Sequence, residues 1–489
     1  MQYFLVMDAG TTSIKAGLIS IDGKFADIQN EPAQVLMPFS GASEMDMNDV
    51  WEVAKKVILK LKANNEALWP EVIAVGLSAQ GDGLWAIDDK GRPVRNAMLW
   101  NDTRTVLDYE SLNPTLLAKD TTAMFPGANI AELTWLKKNE PENYAKIAWI
   151  FHCKDWINFK LTGQIGTDAS DASTSLMNIY TKQYDEEILD WLGLPEMKGK
   201  FAPISTSDEI IGTIYPDAAE ELGLRVGTPV IAGCLDVLAI ATGCGLMKGG
   251  QRGSIVGTTL ANYVVMDEDT ARGCVATNGS ILCHTKKDTY IRLMAATAGA
   301  SAMDWMRRTI LDGEDFAKTD EELAKIPIGA DGVMSTPYIN GERAPFKLSS
   351  ASAGFYGIRA HHTKYHLAKA SFESIAMAMA DCYANLPKGD AELYLAGGAA
   401  KSQYICQMLC DCMGAVTYRF EEKELGLMGI YRLILDALKI SQSVTANTDK
   451  FEPNMENHEK YMALYKEYCI LKDSMMPFWK SRAAKEPEE

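Results

Sequence analysis

Cationic side chains are scarce for the length: 48 lysines and arginines stand against 65 aspartates and glutamates in 489 residues, a formal net charge of −17. Proteins that grip nucleic acid through its phosphates draw on clustered Lys and Arg, so this balance argues against a general nucleic-acid binder and leaves room only for a local basic patch. The opening stretch lacks the charged, apolar and cleavage regions of a secretory leader and runs directly into a strand-like segment, residues 2–7, which makes cytoplasmic residence the expectation. Long apolar runs are missing, with one exception at residues 226–247, whose single charge is Asp236. Gly227, Pro229, Gly233, Gly243 and Gly245 interrupt that run, and a central aspartate costs about 2.5–3.5 kcal/mol on insertion into a bilayer. A buried strand followed by a short helix is expected there, and no membrane partner. The ten cysteines are scattered and read as reduced thiols. In their tightest group, Cys406 and Cys410 share one face of an expected helix while Cys412 points elsewhere, which favours core over a metal site.

The composition, 47% hydrophobic and 23% charged, is that of an ordinary globular protein, and the length allows two large domains or three small ones. Residues 2–7, 14–20 and 24 onward alternate strand-like runs with tight turns, Asp22-Gly23 being the hairpin signal, and predict an antiparallel meander. A helix is expected from about Asn48, with Val50, Ala54, Val57, Ile58 and Leu61 on one face. A strand over residues 72–78 should return to the sheet, followed by a second hairpin around Gly81-Asp82-Gly83. The grammar restarts at Ser254: strand, Gly257-Thr258-Thr259, strand, echoing Asp8-Ala9-Gly10-Thr11-Thr12-Ser13. Two domains are therefore expected, residues 1–247 and 248–489, divided at the polar, Gly-rich stretch 245–252. The charged tail, residues 483–489, should fray.

Neither the Walker pattern nor a Gly-x-Gly-x-x-Gly after the first strand occurs, which weakens P-loop and dehydrogenase readings. What is present is a turn suited to phosphate: Gly10 for close backbone approach, hydroxyls on Thr11, Thr12 and Ser13, Lys15 beyond them, and Asp8 at the strand end as a carboxylate able to hold magnesium directly or through water. The bland alternative is a hairpin rich in small residues. Asp236, set among Leu235, Val237 and Leu238, is an ionisable group whose charged form is disfavoured by its surroundings; its bland role is to stabilise the helix that begins beside it.

Taken in order, Asp8 to Lys15, Gly76-Leu77-Ser78-Ala79-Gln80-Gly81, Leu99-Trp100-Asn101-Asp102-Thr103-Arg104, Asp155-Trp156 with Leu161-Thr162-Gly163, Gly233-Cys234-Leu235-Asp236, Gly257-Thr258-Thr259, Pro337 to Pro345, and Gly397-Gly398-Ala399-Ala400-Lys401-Ser402 resemble the FGGY carbohydrate kinases over almost the whole chain. The resemblance implies an α/β fold of two ribonuclease-H-like domains, as in the actin and hexokinase-like ATPases, around a central cleft. It implies ATP and Mg2+ as cofactors and a small sugar or polyol as substrate, and a homodimer is compatible with it. Asp236 matches the family's catalytic base and Asp8 its metal-site carboxylate. Thr11, Thr12, Ser13, Lys15, Gly257 and Thr258 match its phosphate contacts, and Gly397, Gly398, Ser402 and Gln403 its adenine site.

Substrate choice should rest with Gln80, Gly81, Asp82, Trp100, Asp102 and Arg104 beside Asp236. Many pentulose kinases of the family carry Gln-Met-His-Gly where this chain has Gln80-Gly81-Asp82-Gly83, and glycerol kinases carry an Arg-Glu pair. The chain is more similar here to kinases of L-xylulose and related keto sugars, or of erythritol. Asp82 would accept from substrate hydroxyls, and Gly81 would leave room beside them. The competing readings are turn chemistry for Gly81-Asp82-Gly83, core packing for Trp100, and a local ion pair for Asp102 with Arg104. A second departure is Gly426-Leu427-Met428-Gly429-Ile430, bulkier than the family's small-residue run, which should alter helix packing near the nucleotide or narrow the adenine pocket. Rival functions are a non-kinase ATPase of the same superfamily and an idle sugar sensor; the polyhydroxyl-type pocket argues against the first, and retention of Asp8, Asp236 and both Gly-Thr turns against the second.

Overall fold

In the computed structural model, which describes residues 1–274, 278–421, 424–442 and 447–483, the opening meander forms as β1 (Tyr3–Ala9), β2 (Ser13–Ser20) and β3 (Phe25–Pro32), with Gly23 in the left-handed region at the second turn. Strand β1 is buried almost continuously because both of its faces are covered. Leu5 and Met7 enter one core with helix α1 (Met47–Asn64), whereas Phe4 and Val6 enter another on the opposite face. Helix α1 presents Val50, Ala54, Val57, Ile58 and Leu61 to that first core. Its cap is Asp46, whose carboxylate accepts from the Asn48 N–H, two residues ahead of Asn48, where the sequence placed the start.

Strand β4 (Val72–Ala79) lies parallel to β1, in register from Phe4–Ala74 to Ala9–Ala79. The second hairpin does not form. After β4 the chain leaves the sheet, and the three-residue strand Trp85–Ile87 pairs with Trp149–Phe151. Asp82 and Gly83 both have positive φ, but Gly83 N–H donates to the Gly127 carbonyl and Leu84 N–H to the Met98 carbonyl, so the turn docks onto other loops rather than folding back.

The apolar run 226–247 becomes β6 (Pro229–Ile231), β7 (Cys234–Leu235) and helix α3 (Asp236–Gly243), following β5 (Ile210–Thr213) and α2 (Cys153–Thr162). The first sheet runs β5-β6-β4-β1-β2-β3, with β7 also on β4. The second sheet repeats the plan. Strands β8 (Arg252–Val256) and β9 (Leu260–Asp267) form an antiparallel pair, followed by β10 (Ser280–Cys283) and β11 (Thr289–Ala296); β12 (Leu393–Ala396) runs parallel to β8, then β13 (Thr417–Phe420) and β14 (Thr448–Phe451) complete the order β10-β11-β9-β8-β12-β13-β14. The echo between Gly10 and Gly257 is thus topological: each follows a strand with an antiparallel partner on one side and a parallel one on the other.

Three longer helices of the second half are α4 (Lys364–Ala384), α5 (Gln403–Met413) and α6 (Leu425–Ala437), the last two of which border the site. Helix α6 crosses back to pack on β1 and β4 and lies along α3. A Cβ on Gly429 would stand 1.9 Å from the Ala239 carbonyl oxygen, and one on Gly243 would stand 2.0 Å from that of Leu425; the two helices approach so closely only because glycine faces backbone at both points. Their apolar faces form a core between the sheets, joining Phe4 and Val6 to Tyr263 and Val265. The bulky Leu427 and Ile430 belong to this core, lying over Gly17 and Gly76 respectively, so the second sequence departure fills the helix–sheet interface.

All ten cysteines are free, and Cys406, Cys410 and Cys412 are buried, their thiols donating to separate carbonyls. No helix among the described residues is long and apolar enough to cross a membrane. The tail expected to fray lies, beyond residue 483, outside the described residues.

Candidate active site

Parallel strands β1, β4 and β7 end at one edge of the first sheet. Asp8 pairs in register with Ser78, and Leu235 with Ala79, so Asp8, Gln80 and Asp236 emerge side by side where open α/β sheets bind ligands. The Ser78 hydroxyl donates to Asp8 Oδ1 at 2.7 Å. Burial pushes the Asp8 carboxyl above its ordinary range, and the Ser78 bond and the charge of Lys15 oppose it. Asp236 opens α3, its Oδ1 accepting from the Val237 N–H at 2.6 Å; its pKa is pushed up to about 7 by burial and then by the negative charge of Asp8. The helix-end role and the anionic neighbours therefore coexist at one carboxylate that keeps partial access to solvent.

The first turn closes with Gly10 N–H donating to the Ser13 carbonyl at 3.0 Å, leaving Thr12 exposed. Thr11 is turned toward the pocket: its hydroxyl donates to Gln80 Oε1 at 2.7 Å and accepts from the Trp100 indole at 3.0 Å. Lys15 forms an ion pair with Glu424, at the start of α6. The second turn has Gly257 N–H on the Thr259 carbonyl at 3.0 Å, and Ala300 and Ser301 N–H groups donating to Gly257 and Thr258 carbonyls. Gly397 and Gly398 follow β12 beside it, Gly397 packed against the Val256 backbone and Gly398 open. Ser402 caps α5, accepting from Ile405 N–H and donating to Asp320, and Gln403 is the exposed first residue of that helix.

Asp82 sits in the left-handed region, with its pKa pushed up to about 7 by burial; the charges of His152 and Arg343 oppose the rise and that of Asp171 adds to it. The space beside Gly81 is not free for substrate. A Cβ there would stand 2.0 Å from a methyl of Leu235 and 3.2 Å from Asp171 Oδ1, so this glycine makes room for the protein's own packing. Asp102 and Arg104 are engaged with each other: the guanidinium binds both Asp102 oxygens and Glu44, and Asp102 also accepts from the Ser43 N–H. That buried group shapes the loop carrying Trp100, which itself keeps partial exposure.

Sequence reasoning missed the layer beneath. Lys154 is fully buried and bound to Asp155, Asp168 at 3.0 Å and Asp171 at 2.9 Å, while His152 lies 3.6 Å from Asp155. His152, Asp155 and Asp171 have metal-like spacing, but the Lys154 ammonium occupies the centre of charge that a cation would need. A second such group, Asp331, His361 and His362, lies on the surface. His362 Nδ1 accepts from the Arg359 N–H, which leaves the proton on Nε2, the atom facing Asp331. His362 therefore has no free ring lone pair to offer a metal. Arg343 was missed as well: its guanidinium reaches from the second half of the chain to within 5.1 Å of the Trp100 ring centre.

Two family models match the chain in succession. The model for the N-terminal domain of the FGGY family of carbohydrate kinases matches residues 3–243, and the model for its C-terminal domain matches residues 253–435. The chain is 28% identical over 493 aligned positions to the probable L-xylulose kinase of Pasteurella multocida, covering 96% of this chain and 98% of that protein. It is 27% identical to the L-xylulose/3-keto-L-gulonate kinase of Escherichia coli, covering 98% of each. The solved ligand-bound xylulose kinase of Lactobacillus acidophilus superposes with a TM-score of 0.90 at 22% identity, over 98% of this chain and all of that one, a likeness of fold.

Proposed function

The chain belongs to the FGGY family of carbohydrate kinases, and from that premise we propose that it transfers the terminal phosphoryl group of ATP to a hydroxyl of a ketopentose such as L-xylulose. The observation that carries the proposal is the placement of Asp8 and Asp236 on one sheet edge beside a Gly-Thr turn that the second sheet repeats. In phosphoryl transfer the protein chiefly positions reactants and offsets developing charge, while one carboxylate accepts the hydroxyl proton. Asp236, with a pKa pushed up to about 7 and partial exposure, is suited to accept that proton.

Asp8 offers carboxylate oxygens with the Ser78 hydroxyl beside them, and a part-buried carboxylate whose charge is only partly offset by Lys15 fits a hard divalent cation. Asp8 would hold Mg2+, which, when bound, neutralises charge on the phosphates. Thr11, Thr12, Ser13, Lys15, Gly257 and Thr258 are assigned to the phosphates, and Gly397, Gly398, Ser402 and Gln403 to the adenine side. Residues 1–247 would then hold mainly the sugar and residues 248–489 the nucleotide, with the reaction in the cytoplasm. Gln80, Asp82 and Trp100 are assigned to the sugar directly, Asp102 and Arg104 through the loop they brace. Asp82, in place of the histidine of other pentulose kinases, also suits a polyol such as erythritol.

The test is ADP release by the purified enzyme across L- and D-pentuloses, hexuloses, erythritol, other polyols and glycerol. Stimulation strongest with a ketopentose is expected. Turnover by erythritol alone would move the assignment to polyols, and turnover stimulated by no polyhydroxyl compound would overturn it.

A further inference from the structure

Resting on that reading, we propose that Arg343 is a substrate-positioning residue supplied to the sugar pocket by the C-terminal half, donating to a substrate oxygen next to the one that Asp82 binds.

Its mounting is rigid. Glu342 is buried, and its carboxylate accepts N–H groups from Thr297 and Ala298, just past the end of β11, and from Arg343 and Ala344 in its own loop. Arg343 Nε donates to the Ala295 carbonyl at 2.6 Å. One side of the guanidinium is thus fastened to the second sheet. The guanidinium carbon lies over the Trp100 ring, and its charge acts on Asp82, both from the first half of the chain. Among the described residues, no acceptor meets its two terminal nitrogens.

A guanidinium offers five N–H donors in a fixed fork. Here one is used, and burial works against the charge of the remainder, holding the pKa below its ordinary value. Cation–π contact with Trp100 accounts for the position but satisfies no N–H. The missing partners are acceptors, and Trp100 and Asp82, the two groups of the first half that Arg343 acts on, belong to the pocket assigned to a polyhydroxyl compound. Asp82 accepts and Arg343 donates, so together they match two adjacent oxygens of which one gives a proton and the other takes one. A vicinal diol or an α-hydroxy ketone has that arrangement. Because the donor and the acceptor come from opposite halves of the chain, a sugar touching both also ties the halves together.

The experiment compares wild type with Arg343→Gln, Arg343→Lys, Asp82→Asn and Asp82→Asn/Arg343→Gln, measuring KM for sugar and for ATP and the sugar-free ATP hydrolysis rate. Loss of a charged hydrogen bond is expected to raise the sugar KM of Arg343→Gln about 10- to 100-fold with the ATP KM unchanged. The effects of Arg343→Gln and Asp82→Asn should combine to less than their product. If the Gln variant does not fold, Arg343→Lys decides: it keeps the charge but not the fork, and its sugar KM should still rise. An unchanged sugar KM in a folded variant, or an equal rise for ATP, overturns the proposal. Wild-type enzyme that responds to no polyhydroxyl compound instead overturns the kinase substrate reading on which this rests.

Discussion

The indole N–H of Trp100 donates to the Thr11 hydroxyl at 3.0 Å, so the wall assigned to the sugar and the turn assigned to the phosphates share a hydrogen bond. Thr11 passes the contact to Gln80 Oε1, and any shift of the wall is felt at both ends of the reaction. Trp100→Phe keeps an aromatic ring and removes that donor. Loss of one neutral hydrogen bond, about 0.5–1.5 kcal/mol, should lower kcat/KM for sugar roughly 2- to 12-fold, with protein stability little changed. Steady-state kinetics with thermal melts of the same samples check it; full activity would show that the bond couples nothing.

Asp236→Asn removes the carboxylate assigned as proton acceptor while keeping the shape and the Val237 contact. A fall in kcat of roughly 10²–10⁴ is expected, with nucleotide affinity nearly intact. ADP-release kinetics and titration calorimetry with ATP read the two quantities separately. Near-normal turnover would remove Asp236 from its assigned role.

The raised carboxyl groups set two pH dependences. In its assigned role as base Asp236 would act only when ionised, and its pKa is pushed up to about 7, so kcat/KM should be flat above that pH and fall about tenfold per unit below it. For stability the sign is opposite. Unfolded, Asp82 ionises near pH ~3.9; folded, it holds its proton to about 7. The folded state therefore binds more protons between these values, and stability is lost as pH rises through that window. Asp82→Asn should raise Tm by a few degrees at about pH 8 and hardly at all at about pH 4. Equal shifts at both would show that burial of an ionising carboxyl is not what destabilises the fold at high pH.

How much was legible follows from how local each signal is. The turns at Gly10 and Gly257 could be read because glycine, hydroxyls and flanking β-formers lie within a few consecutive residues. The strand and helix around Asp236 could be read because one charge in an apolar run is conspicuous. The second hairpin misled because Gly81-Asp82-Gly83 has good turn chemistry, and nothing nearby reveals that Gly127 and Met98 take its N–H groups. The close packing of α6 on α3 depends on Gly429 meeting Ala239, almost two hundred positions away. Arg343 lies within a recognised motif, yet only the fold brings it over Trp100.

Lys154 is the strongest case of hidden structure, since a lysine beside an aspartate ordinarily reads as a solvated face, and here it is fully buried. Asp155, Asp168 and Asp171 surround one ammonium, and Asp168 also receives N–H groups from Ser170 and Asp171. Removing the cation would leave buried carboxylates in mutual repulsion, a loss of about 3–5 kcal/mol when one partner of a buried pair is deleted. Lys154→Met should show that loss in urea unfolding. Adding Asp171→Asn to it should return part of the stability, because it removes a repelling charge, whereas Asp171→Asn alone should destabilise by breaking the ion pair. That reversal of sign separates electrostatics from packing: if Asp171→Asn destabilises equally in both backgrounds, Lys154 acts there through its volume and not through its charge.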